Sequence, residues 1–398
     1  MSSQRSVQRV FIIAKRSRYN VILPKRLYAT RNNKAYIGGI FEPFLDDNID
    51  KKVVIDQQVS FKDLTKVTVN DVLPEDDLLN LAIQSKQITL PIDTQKQIVS
   101  VLINDTIDKE KILKLVNNKS TELTAFGNIL LRNSKFGAPL ALELYKLGME
   151  NGDDRGAFSY ANMVYRGYGG IPKNEEEGIK VMSQLAQKGH PYAQMNLAAI
   201  IMRTQPDQVA SAVKLYELAG QAGLNKAYSE LGRMYRLGYG VHQDHKKAID
   251  YFKKGAQTGN PQCNFMLGVY CSSGLGNDER KPEQEKAFKH FQKAAVKGLA
   301  EAQYNVGLRF LKGHGVEANS FNAVEFFRMA ALQGFQLAQV NLAGMYSEGR
   351  GVKSDLDEAR GWLQKAAAGG GSIGKDAQKR LDELDEIQGK KKDKCTIM

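Results

Sequence analysis

The chain has 398 residues, of which 42% are hydrophobic and 25% are charged, as is ordinary for a globular protein. No apolar run approaches the roughly 18 residues that a membrane-spanning helix needs. The formal net charge of +12 lies at the two ends, since residues 1–34 hold nine Lys or Arg and no acid, and residues 390–394 hold four Lys and one Asp. The remainder carries equal numbers of acids and bases, which argues against nucleic acid as a partner.

The first segment, residues 1–34, intersperses its cations with apolar residues such as Phe11 and Ile12. A basic, acid-free amphipathic N-terminus is typical of a mitochondrial targeting segment, which the negative matrix potential attracts. The sequence around Tyr28 and Ala29 is similar to a processing site that is cut between these two residues. The alternative is a disordered basic tail that is never cleaved.

Residues 35–75 are polar and irregular, and we expect an irregular linker or a loosely docked arm. Their only strand-like pieces are residues 53–55 and 67–69. Residues 76–150 are expected to form a helical cap with a degenerate repeat, because an array of repeats must hide its terminal apolar face. The helices predicted there start at 76 and continue at 94–104, 108–117 and in a hairpin over 121–150.

Residues 155–371 contain one motif six times, which predicts six repeats. A small residue recurs every 34 to 39 residues, at Ala157, Ala193, Ala227, Cys263, Ala302 and Ala338. Apolar residues follow four and eight positions later, which places all three on one helical face. A glycine-rich turn and a second amphipathic helix complete most copies. Because one helical hairpin cannot bury its apolar face alone, the repetition predicts an all-α chain built as an α-solenoid.

The motif resembles the Sel1-like repeat, a relative of the tetratricopeptide repeat (TPR). Residues 227–252 carry the matching features: an Ala-x-x-x-Leu-Gly-x-x-Tyr helix, a Gly-x-Gly-Val turn and a Lys-Ala-x-x-x-Phe helix. The resemblance covers about residues 155–371 and implies Sel1-like, TPR-like helical hairpins. It implies no common chemistry, because solenoid families mostly bind other proteins. The copy at 193–224 lacks the Gly-x-Gly turn, so we expect a tighter turn there.

After the last repeat, a charged helix over 374–388 is predicted to be a C-terminal capping helix, with Ala377, Leu381, Leu384 and Ile387 facing the repeats. Residues 389–398 form a polybasic tail. It ends in Cys395-Thr-Ile-Met, which fits the C-a-a-X lipidation pattern for prenylation. This tail resembles that of the fungal chitin-synthase activators, which also carry Sel1-like repeats. A chance match is the alternative, and import into mitochondria would remove the chain from the cytosolic prenyltransferase.

No constellation of catalytic or metal-ligating residues stands out. His242 and His245 have no further His or Cys nearby to complete a zinc site. Cys263 and Cys271 occupy core positions of one predicted helix, about 12 Å apart, which is too far for a disulfide. The Gly-x-Gly turns follow helices, whereas a phosphate-binding loop follows a strand. We therefore predict no enzyme, no catalytic residue, no cofactor and no metal.

The remaining candidate is the concave groove that first helices line in the TPR family. When the repeats are aligned on their small residues, this resemblance implies that the positions two, three, six and nine residues after each small residue bind the partner. Apolar, Arg and Asn side chains there suit a protein or peptide partner. The alternative is that the recurring Asn residues only satisfy backbone groups. The predicted residues are Met195, Asn196, Arg233, Arg236, Phe265, Tyr304, Asn305 and Asn341.

These observations favour a mitochondrial adaptor, located in the matrix or associated with the inner membrane. Proteins of mitochondria with such repeats often serve in assembly or membrane insertion of respiratory-chain subunits, including those of cytochrome c oxidase, and the resemblance implies such a role. The alternative is a prenylated adaptor on a cytoplasmic membrane surface that activates a membrane enzyme such as chitin synthase. Peripheral membrane association is compatible with both hypotheses.

Overall fold

The computed structural model describes residues 67–104, 107–134, 136–275 and 280–395, with side chains as far as Glu386. The predicted targeting segment and the residues at its processing site, Tyr28 and Ala29, lie outside these ranges. So do the strand-like piece 53–55, the Cys395 side chain and residues 396–398.

Within the described ranges the chain is all-α and has no strand, which confirms the predicted fold class. The nineteen α-helices are α1 Val69–Val72, α2 Asp76–Gln84, α3 Ile92–Leu102, α4 Lys109–Leu115, α5 Ser120–Asn133, α6 Gly137–Glu150, α7 Asp154–Arg166, α8 Glu175–Gln187, α9 Pro191–Thr204, α10 Val209–Gln221, α11 Lys226–Leu237, α12 His245–Gln257, α13 Pro261–Ser273, α14 Gln284–Val296, α15 Ala300–Lys312, α16 Ser320–Leu332, α17 Gln336–Glu348, α18 Leu356–Ala368 and α19 Gly371–Cys395. In the repeat region the odd-numbered helices α7 to α17 are first helices, and the even-numbered helices α8 to α18 are second helices.

The chain divides inside α11, between Ala227 and Tyr228, into two compact units. In the N-terminal unit, one core forms around α1 to α6, with Leu79, Ile98 and Phe126 fully buried. A second core forms around Tyr145 and the helices that follow. Each cluster removes large aliphatic and aromatic side chains from water, the main favourable term in folding.

One local prediction in this unit is wrong. Residues 67–69 were expected to be strand-like, but Val69–Val72 form the short helix α1. Thr68 and Asp71 close a capping box, in which the Thr68 backbone N–H donates to Asp71 Oδ2 at 2.9 Å and the Thr68 hydroxyl donates to the same atom at 2.7 Å. Val72 is buried in the core, so capping and burial outweigh the strand preference of valine.

In the C-terminal unit, glycine-rich turns follow the first helices, and the turn after α15 shows why glycine is needed there. Gly315 has a φ of +75°. A Cβ added to Gly315 would lie 2.1 Å from the backbone oxygen of Gln284, which begins α14 in the preceding repeat. Glycine is therefore required twice over, for its backbone angle and for the close approach of two repeats.

Small residues in the first helices also make room for rings of the second helices. A Cβ added to Gly268 would lie 2.8 Å from the Phe291 ring. The last repeat has Ala343 in the register of Gly268 and Leu363 in the register of Phe291. A larger residue on the first helix thus accompanies a smaller one on the second. The other glycine and ring pairs are Gly232 with Phe252 and Gly307 with Phe327.

The C-terminal helix α19 packs on this unit through Ala377, Leu381 and Leu384, which belong to its main core. Gly370 and Gly371 adopt left-handed backbone angles and start the helix. At 25 residues, α19 extends beyond the predicted span 374–388 at both ends. The lysine-rich continuation is made of good helix formers, so the helix does not stop where its apolar stripe stops.

Candidate protein-binding face

The first helices of the repeats are held in place by a hydrogen bond that the sequence analysis missed. Gln303 Nε2 donates to the backbone oxygen of Ala295 at 3.2 Å, joining α15 to the end of α14. Gln194 and Gln339 make the same bond to Ala186 and Ala331. Each carbonyl also accepts a backbone N–H, as Ala295 does from Gly298 at 2.9 Å, so the glutamine adds a second hydrogen bond at the end of the preceding helix. The sequence signal was an Ala-Gln pair at the start of these first helices.

Half-buried, uncharged side chains follow one side of α13, α15 and α17, and α15 exposes the charged residues Glu301 and Lys312 only near its two ends. Helix α13 contains no charged residue at all, and α17 contains only Glu348. We call this surface the first-helix face. It consists of Phe265, Met266, Val269, Tyr304, Asn305, Leu308, Leu311, Asn341 and Gly344.

Tyr304 lies at the centre of this face and connects two repeats. Its ring centroid lies 5.1 Å from that of Phe335, and its hydroxyl accepts a hydrogen bond from Asn341 Nδ2 at 3.3 Å. Partial burial raises the pKa of Tyr304, although the bond from Asn341 acts in the opposite direction. The phenol is therefore neutral near pH 7 and offers its ring and hydroxyl to a ligand.

The structure groups four of the predicted residues, Phe265, Tyr304, Asn305 and Asn341, on the first-helix face. Asn305 Nδ2 donates to the backbone oxygen of Glu301 at 2.8 Å, so one of its two amide N–H groups is already occupied. Met266 and Leu308 were not among the predicted residues, although they stand three and six positions after the small residue of their repeat. The uncharged composition of these helices would have indicated them.

Two predicted residues cannot contact a partner in this structure, and that part of the prediction is wrong. Met195 and Asn196 are both 0% exposed. Asn196 Nδ2 donates to Asn162 Oδ1 at 3.0 Å, which makes it an internal link between α9 and α7. Helix α9 buries residues on nearly every side, so the groove position assigned by analogy is covered.

The two predicted arginines lie on α11. Arg233 is exposed, and its Nε donates to Glu230 Oε2 at 2.9 Å. Arg236 is half-buried, and its Nε has no hydrogen-bond partner among the described residues. Burial raises the pKa of Tyr270, and the nearby charge of Arg236 lowers it, which places this guanidinium near α13.

Two cavities are lined by residues other than those of the first-helix face. One of about 490 Å³ is lined by residues that include Asp154, Leu185 and Lys188. The other, of about 380 Å³, is lined by residues that include Asp355 and Trp362. The Trp362 ring in the second cavity is already covered by Lys365 Nζ, 4.1 Å from its centroid.

No histidine or cysteine of the described residues is placed as a catalytic or metal-binding group. His245 Nδ1 lies 2.9 Å from the Tyr270 hydroxyl, and His242 is exposed. Burial raises the pKa of Cys263 to about 12, so its thiol is protonated at neutral pH and is a weak nucleophile. The described residues contain no group of three or more His, Cys, Asp or Glu placed to hold a metal ion.

Six consecutive segments of the chain match the family profile described as the Sel1 repeat, together more than half of its length. The chain belongs to the Sel1 repeat family. The matched segments are 144–190, 191–224, 225–260, 261–299, 300–335 and 336–371, so the first begins before the predicted boundary at 155. Proteins with Sel1 repeats are typically non-enzymatic adaptors, and their repeats are suited to protein–protein interaction.

Relatives and a solved structure agree with this assignment. An uncharacterized protein of Neisseria meningitidis is 31% identical over 152 residues, 38% of this chain and 30% of that protein. Chitin synthase regulatory factor 3 of Schizosaccharomyces pombe is 28% identical over 191 residues, 45% of this chain and 20% of that protein. The chain thus spans less than a third of either relative. The crystal structure of c5321, a protective antigen of uropathogenic Escherichia coli with an SLR fold, superposes with a TM-score of 0.56 at 26% identity, covering 70% of this chain and 60% of that one.

Proposed function

We propose that this protein is a non-enzymatic adaptor that binds a partner protein through the first-helix face of its C-terminal unit. The observation that carries this proposal is the half-buried, uncharged surface on α13, α15 and α17. Aromatic and aliphatic side chains that are already partly desolvated lose little on binding and supply the core of an interface. Asn305 and Asn341 provide polar groups for orientation.

The partner that we propose is a subunit of a respiratory-chain complex, such as cytochrome c oxidase, which the protein assists in assembly or membrane insertion inside mitochondria. The basic, acid-free composition of residues 1–34 supports this location, and the repeat type supports the adaptor role. No described helix is long and apolar enough to cross a membrane.

The binding face is tested by affinity purification of the full chain from mitochondria, with quantitative mass spectrometry of what is captured. The variant Met266→Gln/Leu308→Gln places two polar side chains of similar size on the face. We expect it to lose its main partner by roughly tenfold or more, because central interface residues carry most of the binding energy.

The matched control is Leu275→Gln/Leu332→Gln, which makes the same chemical change at side chains that are 49% and 63% exposed elsewhere in the unit. Capture by the control should equal that of the unchanged protein. Equal capture by both variants, with unchanged circular dichroism and melting, would remove the first-helix face from the proposal.

A second candidate function is activation of a membrane enzyme such as chitin synthase by a prenylated cytoplasmic adaptor. It is favoured by the C-terminal Cys395-Thr-Ile-Met and by similarity to the Schizosaccharomyces pombe protein named as a chitin synthase regulatory factor. Mass spectrometry of the native protein separates the two candidates. An N-terminus near Ala29 with an unmodified Met398 supports import, whereas a retained Met1 region with a lipidated Cys395 supports the second candidate.

A further inference from the structure

The second helices of the C-terminal unit differ in charge although they occupy the same place in the repeat. Helix α12 carries four lysines against one aspartate, and α14 carries three lysines against one glutamate, with Glu283 directly before it and Lys297 directly after it. Helices α16 and α18 carry as many acids as bases. All four helices bury an alanine and a large apolar residue in the same register. Since α16 and α18 fold without surplus lysine, the fold does not require it.

On α14 the lysines form one stripe. Lys286, Lys289, Lys293 and Lys297 are exposed and follow one another at spacings of three, four and four residues, which places them on the same side of a helix. Lys286 pairs with Glu283. No ion pair is formed by Lys289, Lys293 or Lys297 within the described ranges. Like charges at this spacing repel one another, so the stripe costs stability in the absence of a ligand.

Helix α12 extends the positive surface. Burial and the charge of Glu283 raise the pKa of Cys271 on α13, whereas Lys286 and Lys253 both lower it. Both lysine charges therefore act on one thiol of α13, the helix that packs against both α12 and α14. Lys253 also pairs with Asp250 at 3.9 Å. We call the exposed lysines 253, 286, 289, 293 and 297 the lysine face.

We propose that the lysine face binds the anionic headgroups of a phospholipid membrane. Lysine is a compact, strongly hydrated point charge, which suits diffuse attraction to a charged surface. Surfaces that hold single-stranded nucleic acid combine positive charge with free aromatic rings. On α14 the rings of Phe288 and Phe291 are buried, and beside α12 the rings of Tyr235 and Tyr251 stack on each other and are covered by Lys247 and Lys254. The lysines of this face are exposed, and neither described cavity includes one of them, which suits contact with a broad charged surface. This inference does not depend on the partner of the first-helix face.

The test is co-sedimentation of the full chain with vesicles of phosphatidylcholine, with and without an anionic phospholipid, near physiological salt. The variant Lys289→Gln/Lys293→Gln/Lys297→Gln removes the unpaired part of the stripe. The control Lys312→Gln/Arg350→Gln/Lys353→Gln removes three other exposed cations of the same unit. Both variants keep the basic chain ends, so any contribution from the ends cancels.

We expect the unchanged protein to bind only the anionic vesicles and the stripe variant to bind them roughly 100-fold more weakly, because each lysine at such a surface contributes about fivefold. The control should lose less than about threefold. An equal loss in both variants would show a general charge effect and overturn the proposal. The proposal would also be overturned if the stripe variant kept its vesicle binding. It would be overturned equally if the variant kept vesicle binding and lost only its binding to duplex DNA, measured in parallel.

Discussion

The first and second helices of the C-terminal unit are alike on their buried sides and different on their outward sides. Leu342 on α17 and Phe327 on α16 are both fully buried and belong to one core. Outward, α13 presents uncharged side chains, whereas its neighbour α14 presents a row of lysines. The repeat therefore specifies the packing of both helices and leaves their outward sides free to acquire separate partners.

The largest expected effect comes from placing a charge on the buried side. Leu342→Asp should lower the free energy of unfolding by about 4 kcal/mol or more, because an unpaired carboxylate would replace a fully buried side chain. The same change at Leu337, 39% exposed in the first turn of the same helix, should cost less than about 0.5 kcal/mol. Urea unfolding followed by circular dichroism measures both. Similar losses at the two positions would break the distinction between buried and outward sides.

A smaller effect is expected where the two helices meet. Gly268→Ala should destabilise the protein by about 1 to 3 kcal/mol, because the added methyl group would lie within 3 Å of the Phe291 ring. Gly344 has nothing within 4 Å of an added Cβ, so Gly344→Ala should be neutral or stabilising by about 0.5 to 1 kcal/mol.

The natural Ala343 and Leu363 pair suggests a sharper version of this measurement. In the background of Phe291→Leu, the change Gly268→Ala should cost less than it does beside the intact ring, since the leucine leaves space for the methyl group. A double-mutant cycle with no coupling between the two positions would show that the matched pairs are accidental.

The smallest expected effect concerns the helix starts. Second helices α12 and α16 are capped by Asp244 and Asn319, but the first helix α9 is capped by His190, whose Nδ1 accepts from the Ala193 N–H at 3.2 Å. Burial lowers the pKa of His190, although Asp154 and Asp153 act against this. The unfolded chain therefore binds a proton on His190 more readily than the folded chain does. The contribution of His190 to the free energy of unfolding is complete above the unfolded pKa, near 6.5. It declines as the pH falls through 6.5 toward the lower pKa of the folded state.

The expected loss between about pH 7.5 and pH 5.5 is about 0.5 kcal/mol or less, because the ring remains partly exposed. His190→Asn keeps a capping group that does not titrate in this range. The stability difference between the two proteins should therefore change with pH. A constant difference would show that His190 does not titrate on unfolding in this window.

Much of the fold followed from spacing alone, because a helical hairpin buries residues at fixed intervals. Ala302 and Val306, which recur at those intervals, are fully buried. The start of α1 was missed, because a single helical turn held by Thr68 and Asp71 has no periodicity to detect. The residues of the proposed binding face were predicted in part. The repeat alignment placed Phe265 and Tyr304 on it. The same alignment failed for Met195, because similarity to another family does not show which groove positions neighbouring side chains bury in this chain.

The sequence by itself determined the repeat, its all-helical structure and the positions of its buried residues, because these depend on local periodicity and on removing apolar surface from water. Between the chain ends it contains equal numbers of acidic and basic residues, and for that reason no basic surface was predicted there. Only the tertiary structure showed which residues form the uncharged first-helix face and which lysines of α12 and α14 are exposed. The net charge of a chain does not record where each charged side chain lies on the surface. Electrostatic recognition depends on that position, which only the folded structure gives.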